Sequence, residues 1–534
     1  MLPRKYIFGK DCREKVFAGI KLMYDTVSAT LGPHGRNVLI DHARQVVQPT
    51  KDGVTVVDEV RAVDDWEDMG CRLVREASQN TNVSAGDGTT TAIVLSYKMC
   101  EEGLQKITEK TNVIKVRRGM DRAVEVCVRK LEEIAMPITK EEQFCDVATI
   151  SSQDPHIGTI VAKTFLEAGE HGSIDIQRAE EPGIFPEHTD GMSFNQGWLD
   201  QRFITQRDNS YMIEDVPVLV TDREIKYQVQ LLPLMEQLAA AGTKKLLIVC
   251  DTIGGEALGM FAMNAQKRLF AGCAVKAPSY GKNRVEIMKD ICAVTGATFV
   301  SEESGIRIEK IEPSHLGKAK KAIVTVDRTV IVSEDSEEAK ERVTERIGFI
   351  EEQLKDAPEG SLQRQDLELR LATLTDGITV LKVGAQTEVE RHEYRKRVED
   401  AVKAVQSAKK EGVTPGGGTA YLRCIEAVDA IESKDRDEHI GVEIVKKALS
   451  FVAFRVLEVA GIEDKELIVA KVKEAKGNVG YDFETGKLTD LVKKGIVDAK
   501  KVNRVALQNA ASCAKTFLTL EVAVSDVEEK KEED

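Results

Sequence analysis

The sequence predicts a multi-domain α and α/β protein in which a mostly helical domain, built from both chain ends, brackets an inserted α/β middle. Three observations carry that prediction. The chain has 534 residues, too many for one ordinary domain. Residues from about 8 to 134, and again from about 388 onward, place apolar side chains at helical spacing with glycine punctuation. Between these zones short β-type runs alternate with helical ones, the pattern of a compact α/β unit.

Taken in order, "REKVFAGIKLMYDTVSATLG" puts Val16, Ile20, Met23, Val27 and Leu31 on one helical stripe, stopped by Gly32-Pro33. "MDRAVEVCVRKLEEIAMP" repeats the pattern and stops at Pro137. In the middle, "VPVLVTD", "KKLLIVCD", "FAGCAVKAP" and "AIVTVDRTVIVS" read as strands, and "LLPLMEQLAAAG" as a helix. A helix through Ala339, Val343, Ile347, Ile350 and Leu354 follows, broken from the next by Pro358-Glu359-Gly360. "EVERHEYRKRVEDAVKAVQSAKKEG" opens the second helical zone, and the closing "VEEKKEED" is predicted to be a disordered acidic tail.

Composition narrows the function classes. With 42% hydrophobic and 31% charged residues the chain can bury sizeable cores under a solvated surface, and its net charge of −14 argues against a nucleic-acid partner. Ten cysteines form no CxxC pair and no metal-ligand spacing, so they read as small buried hydrophobes in a reducing compartment. No run approaches the length of a membrane span, and the N-terminus lacks an apolar h-region. The expectation is a soluble cytoplasmic protein with no membrane partner.

Chemistry concentrates in a few glycine-rich stretches. In "AGDGTTTAIVL" an acid stands between two glycines, followed by three threonines and an apolar helical run. Gly86 and Gly88 permit close backbone approach, and Thr89, Thr90 and Thr91 can surround an anion at a helix N-terminus. Asp87 beside that anion is the kind of carboxylate Mg²⁺ uses when it bridges to phosphate. The same residues also read as an Asp-Gly turn with threonine caps. "TLGPHGRNVLI" and "TKDGVTVVDEV" add Gly32-Pro33, Gly35, Lys51, Asp52 and Gly53, or else a loop and a hairpin turn. Asp400 in "RKRVEDAVKAVQ" lies off the apolar stripe Val398, Val402, Val405, so it is a surface acid unless a phosphate comes near. "EGVTPGGGTA" supplies Gly416, Gly417 and Gly418, either a bed for a purine or ribose or a flexible loop.

Together, "TLGPHGRNV", "TKDGVTV", "AGDGTTTA", "ATISS", "VKAPSYG", "GATFVSEE", "KVGAQTEVE", "RVEDAV", "GGGTA" and "GYDFETG" resemble the bacterial-type (group I) 60 kDa chaperonins, the GroEL family, over about residues 8 to 526. The resemblance implies the chaperonin fold: an equatorial, mostly helical ATP-binding domain (1–136 and 412–526), a small α/β intermediate domain (137–190 and 377–411) and an α/β apical domain (191–376). Residues 527–534 would be tail. Hinges would fall at Pro137 with Gly412 and at Gly191 with Gly377. The resemblance further implies an ATPase with Mg²⁺ and K⁺ as cofactors. Thr30, Leu31, Gly32, Pro33, Gly53, Gly88, Thr89, Thr90, Thr91 and Ser151 would contact nucleotide, with Lys51 near the phosphates. Asp87 would bind Mg²⁺, and Asp52 and Asp400 would activate water, Asp400 only after the intermediate domain swings down. Gly417, Asp482 and Asp498 would lie around base and ribose. Unfolded polypeptide clients would bind an exposed apolar face of Trp198, Phe203, Leu232, Met235, Leu258, Ala262 and Met263. The assembly would be a homo-oligomeric ring of seven subunits, single or double, with a co-chaperonin lid as partner.

The sequence departs from that pattern at several points. Arg202 stands where an aromatic is usual, Asp482 where an Asn is usual, and His34 where a Lys is usual. "EEKKEED" replaces the usual Gly-Gly-Met repeats, and "RVLEVAGIEDKELIVAK", where rings touch in the family, matches loosely. These departures fit a divergent cellular, organellar or virus-encoded member, working in a cytoplasm (a host's, for a virus) or an organelle matrix. They also leave a second reading: a ring-shaped holdase or scaffold with the fold but little productive ATP cycling.

Overall fold

The computed structural model describes residues 4–42, 46–169, 173–179, 181–204, 210–358 and 361–526; the expected tail, and Glu359-Gly360 of the expected helix break, lie outside them. The chain divides into two units, Met1–Ala162 with His392–Asp534, and Lys163–Arg391. The two ends of the sequence therefore build one unit, as their shared helical periodicity predicts.

In that first unit the long helices begin where short polar side chains can cap them. Asp64 caps Asp65–Ala85, Asn112 caps Val113–Ile134 and Asp435 caps Arg436–Val459, each side chain accepting from two backbone N–H groups of the first turn. With Gly9–Val27, Thr89–Lys106, Thr419–Asp429 and Lys500–Leu518 they bury one core. Ile20, Met23, Ile93, Leu95, Met120, Leu131, Tyr421 and Phe517 are fully buried within it. The helices Val113–Ile134 and Arg436–Val459 cross closely because each carries a glycine there. A methyl group on Gly119 would strike the Glu438 carbonyl oxygen, and one on Gly441 the Val116 carbonyl. The strand Arg4–Phe8 pairs antiparallel with Val522–Asp526, which ties the two chain ends together.

The second unit is α/β. Its main sheet runs Gly191–Phe194, Thr329–Val332, Gly317–Val324, Tyr211–Thr221, Lys245–Cys250, Ala271–Lys276, and Phe299–Val300 also pairs with Tyr211–Thr221. The predicted strands all appear, "AIVTVDRTVIVS" as an antiparallel hairpin. Tyr211–Thr221, Lys245–Cys250 and Ala271–Lys276 pair in parallel, linked through the helices Gln228–Ala240 and Gly255–Gln266. A smaller sheet places Ile378–Gly384 between Ser173–Arg178 and Gly183–Thr189. Three helices are joined through a buried ion cluster. Arg370 grips Asp290 with Nε on Oδ2 at 2.7 Å and Nη2 on Oδ1 at 2.9 Å, and Arg346 Nε reaches Oδ1 at 2.6 Å.

Eight of the ten cysteines are buried and all ten are free, so the thiols serve as packing groups. Among the described residues no helix is long and apolar enough to cross a membrane.

Candidate functional site

Two turns of the first unit carry the first pair of carboxylates. Asp52 caps the helix Gly53–Glu59: Oδ1 accepts from the Val54 N–H at 3.0 Å, and Oδ2 from the Thr55 N–H at 3.1 Å and hydroxyl at 2.5 Å. It is a helix cap and not the hairpin turn that the sequence also allowed. A Cβ on Gly53 would run into the Thr90 and Thr89 hydroxyls, so this turn lies against the threonine turn.

Asp87 stands between Gly86 and Gly88, which hold φ of +79° and +87°. Gly86 ends the helix Asp65–Ala85, and Gly88 opens Thr89–Lys106 with no side-chain cap. Among the described residues the first-turn N–H groups therefore meet no side-chain acceptor, an arrangement that suits an anion. Neither glycine can be replaced freely: a side chain at Gly86 would strike Lys403, and one at Gly88 would strike Val502. Gly88 N–H donates to Asp87 Oδ1 at 2.6 Å and fixes the carboxylate.

The helix Glu388–Glu411 brings the third carboxylate. Ser407 Oγ donates to the Ala85 carbonyl at 2.7 Å, and Lys403 packs on Gly86. Arg397 Nε donates to the Ser152 carbonyl at 2.8 Å. On the same helical face Lys396 Nζ donates to Asp52 Oδ2 at 2.9 Å and to Thr55 Oγ1 at 2.5 Å. Asp400, between these anchors, faces Asp87 and Asp52. The resemblance implies that Asp400 reaches the nucleotide only after a domain movement; here Lys396, Lys403 and Ser407 hold its helix against the Asp52 and Asp87 turns.

Electrostatics sort the acids. Burial, then the charges of Asp87 and Asp52, push Asp400 well above the ordinary carboxylate range. Burial also raises Asp87, with Asp52 adding to it, against the opposing Gly88 N–H. Solvent reaches Asp87 although protein surrounds it on most sides. Asp498, on the strand Val497–Ala499, is raised to about 7, first by burial and then by Asp87. Asp52 goes the other way: burial would raise it, but the Lys396 ammonium and the Thr55 and Val54 hydrogen bonds win and hold it low. Carboxylates that repel one another favour positive charge between them, which Lys396 and Lys403 meet only in part. Among the described residues no three ligating side chains form a metal cage. Mg²⁺ takes one or two carboxylates and fills its shell with water and phosphate oxygens; among these acids Asp87 would be the one to hold it.

The remaining residues named from the sequence take varied places. Thr30 closes the 3₁₀ turn Ser28–Thr30, its hydroxyl donating to the Val27 carbonyl at 2.9 Å. Leu31 is half-buried, Gly32 sits at φ +78° against Val456, and Pro33 and Lys51 are exposed. Ser151 has a buried hydroxyl with no hydrogen-bond partner among the described residues. Gly417 and Gly418, at φ +62° and +76°, form a tight turn leading into Thr419–Asp429, so this stretch is not a flexible loop. Gly417 lines a recess with Tyr481 and Phe483, and the His34 ring lies 6.3 Å from that of Phe483. Asp498 stands beside Gly416.

Asp482 differs from expectation. Its buried carboxylate is taken up by its own hairpin, accepting from the Glu484 N–H at 2.9 Å, the Thr485 hydroxyl at 2.7 Å and Lys494 Nζ at 3.0 Å. Burial works against ionisation, but these partners outweigh it and hold the pKa at about 2. A depressed carboxyl stabilises fully above its unfolded value of about 4 and loses that contribution as pH falls toward the folded value. Asp482→Asn is expected to flatten the loss of stability between about pH 4 and about pH 2, measured by acid unfolding at fixed ionic strength.

Of the seven apolar residues expected to be exposed in the second unit, Leu232 and Met263 are exposed, and Trp198 and Leu258 are half-buried. Phe203, Met235 and Ala262 are buried, which corrects the expectation for them. Helical periodicity explains it: Leu231, Leu234, Met235 and Leu238 form the inward stripe of one helix, and Phe261 and Ala262 of the next, where Phe203 meets Phe261 at 5.4 Å. Arg202 is paired with Asp200, Nε to Oδ1 at 2.9 Å and Nη2 to Oδ2 at 2.6 Å, so its charge is met locally.

The model of the TCP-1/cpn60 chaperonin family matches residues 23–528. The chain belongs to that family. Its structure is similar to two crystal forms of the chaperonin gp146 from bacteriophage EL 2 (Pseudomonas aeruginosa), each obtained in the presence of ATP-BeFx. At 20% identity the first has a TM-score of 0.73 over 98% of both chains, and the second a TM-score of 0.64 over 98% of this chain and 99% of that one. The chaperonin fold accounts for the helical unit made from both ends and the inserted α/β region. Sequence reasoning missed Lys396, Thr55 and Lys403. The signal was there: 396, 400, 403 and 407 recur at helical spacing as a polar stripe beside the apolar one.

Proposed function

We propose that this chain is an ATP-driven folding machine of the bacterial-type (group I) chaperonins. One observation carries the reading: three acids distant in sequence, Asp52, Asp87 and Asp400, meet beside the uncapped N-terminus of Thr89–Lys106. A triphosphate laid there accepts from the first-turn N–H groups and from the hydroxyls of Thr89, Thr90 and Thr91. Thr30, Leu31, Gly32, Pro33, Gly53, Gly88 and Ser151 line its path, with Lys51 beside the phosphates. Mg²⁺ on Asp87 supplies charge neutralisation to the phosphate oxygens. Asp52 and Asp400 orient the attacking water and take its proton, work that requires positioning more than covalent help. Base and ribose lie along Gly417, Asp498 and the backbone of the Asp482 hairpin.

In this reading residues 1–136 and 412–526 are the equatorial domain, 137–190 and 377–411 the intermediate domain, and 191–376 the apical domain. Support comes from the proposed pivots lying side by side. Met136 bridges to Val413 next to Pro137 and Gly412, and the pairing of Ile378 with Thr189 is flanked by Gly377 and Gly191. Unfolded clients bind an apolar apical surface around Leu232, Met263, Trp198 and Leu258. Phe203, Met235 and Ala262 join that surface only if their helices shift. Seven subunits form each ring, a lid protein closes it, and K⁺ assists hydrolysis.

Purified protein is expected to hydrolyse ATP, and to stop when Mg²⁺ is chelated or K⁺ is replaced by Na⁺. A denatured client should be released folded only when ATP is present. Client held equally with and without ATP would mean a holdase and end the machine reading.

A further inference from the structure

Among the described residues Asp52 is the member of the carboxylate cluster held in a direct ion pair, and its partner comes from a different element. Lys396 lies one helical turn before Asp400 on Glu388–Glu411, so the two side chains project from one face. Its ammonium makes two bonds, to Asp52 Oδ2 at 2.9 Å and to Thr55 Oγ1 at 2.5 Å, while the same Asp52 oxygen accepts from the Thr55 hydroxyl. An ammonium has three donors, so one remains for a water. The pair is partly sheltered, with 31% of the Lys396 side chain and 21% of that of Asp52 exposed. Such a pair is worth more than an open surface pair.

The neighbourhood gives this contact a task. Facing it are Asp87, Asp400 and Lys403, with His392, Arg395 and Glu399 on the same helix. Without Lys396 nothing described here would pin the Asp52 carboxylate against the repulsion of Asp87 and Asp400 except its own helix turn. Equally, little but Lys403, Ser407 and Arg397 would hold the Asp400 helix over the threonine turn. We propose that Lys396 is a positioning residue of the hydrolytic site: by clamping Asp52 and Thr55 it sets the distance between the carboxylate of the Gly53–Glu59 turn and Asp400. The inference rests on the ATPase reading above.

The test is steady-state ATPase kinetics on the full chain, comparing wild type, Lys396→Ala, Lys396→Arg, Asp52→Asn and the Lys396→Ala/Asp52→Asn double variant. Lys396→Ala should lower kcat about 10-fold or more with KM for MgATP changed less than about 2-fold, because the residue orders the water-activating groups and not the nucleotide. Arginine, which keeps the charge and can still fork across Asp52 and Thr55, should recover kcat to within about 3-fold of wild type. The double variant should be no slower than Asp52→Asn alone, since Lys396 acts through Asp52. A wild-type kcat for Lys396→Ala, failure of arginine to rescue, or additive losses in the double variant would each overturn the inference while leaving the ATPase reading intact. A wild-type chain with no ATPase would overturn both.

Discussion

Asp400→Ala is expected to bind ATP as the native chain does and to hydrolyse it at least about 100-fold more slowly, the usual loss when a positioned base is removed. The two effects separate because Asp400 lies among acids and not among the first-turn N–H groups proposed to hold the phosphates. Its carboxylate is pushed up by burial and by Asp87 and Asp52, so whatever charge it carries opposes a polyanion in the proposed site. Removing it relieves that repulsion and leaves the threonine turn whole. A second signature follows from the sign of the shift. A carboxyl whose folded pKa exceeds its unfolded value stabilises when protonated and loses that stabilisation as pH rises through the folded value. Asp400→Ala should therefore melt at the same temperature as wild type or higher at neutral pH. Nucleotide binding by fluorescence titration, single-turnover hydrolysis and a thermal melt give the three readouts. A variant that hydrolyses ATP at the native rate would remove Asp400 from the chemistry.

The largest effect on stability is expected at Asp290, far from any nucleotide residue in sequence. Its side chain is 1% exposed and meets Arg370 at 6% and Arg346 at 13%. Breaking a buried ion cluster by deleting one partner strands the others without water or counter-charge, typically at about 3–5 kcal/mol. Glu286 lies within 2.8 Å of Arg346 and 3.6 Å of Arg370, so it compensates in part and places Asp290→Ala toward the lower end. Asp290→Asn keeps the shape and one acceptor and should lie between the two. Denaturant unfolding of the full chain, with hydrogen exchange followed in Gly281–Thr295 and Leu362–Thr375, locates the loss. A change under about 1 kcal/mol would show that the two arginines find other partners.

Much of this architecture can be read in the sequence because it is periodic. The stripe from Val16 to Val27 and the β-runs of the middle zone appear as a helix and strands almost where the pattern puts them. The turn around Asp87 is legible for a local reason, since Gly86 and Gly88 mark where one helix ends and the next begins. What the sequence hid depends on contacts between segments. Lys396 looks like any solvated lysine until its helix is laid over the Asp52 turn. Asp482 looks like a ligand acid until its hairpin closes around it. Phe203, Met235 and Ala262 match a binding surface by position, yet side-chain direction is set by the register of each helix on the sheet behind it.

The antiparallel pairing of Arg4–Phe8 with Val522–Asp526 also has a bearing on how the molecule is made. A ribosome releases the first of these strands hundreds of residues before the second. The interval 163–391 contains every strand of its own sheets, so it can complete its hydrogen bonding while translation continues. The early helices cannot: the apolar faces of Gly9–Val27 and Thr89–Lys106 wait for Lys500–Leu518 to cover them. Until Lys500–Leu518 emerges, those apolar faces stay open to water and to other chains.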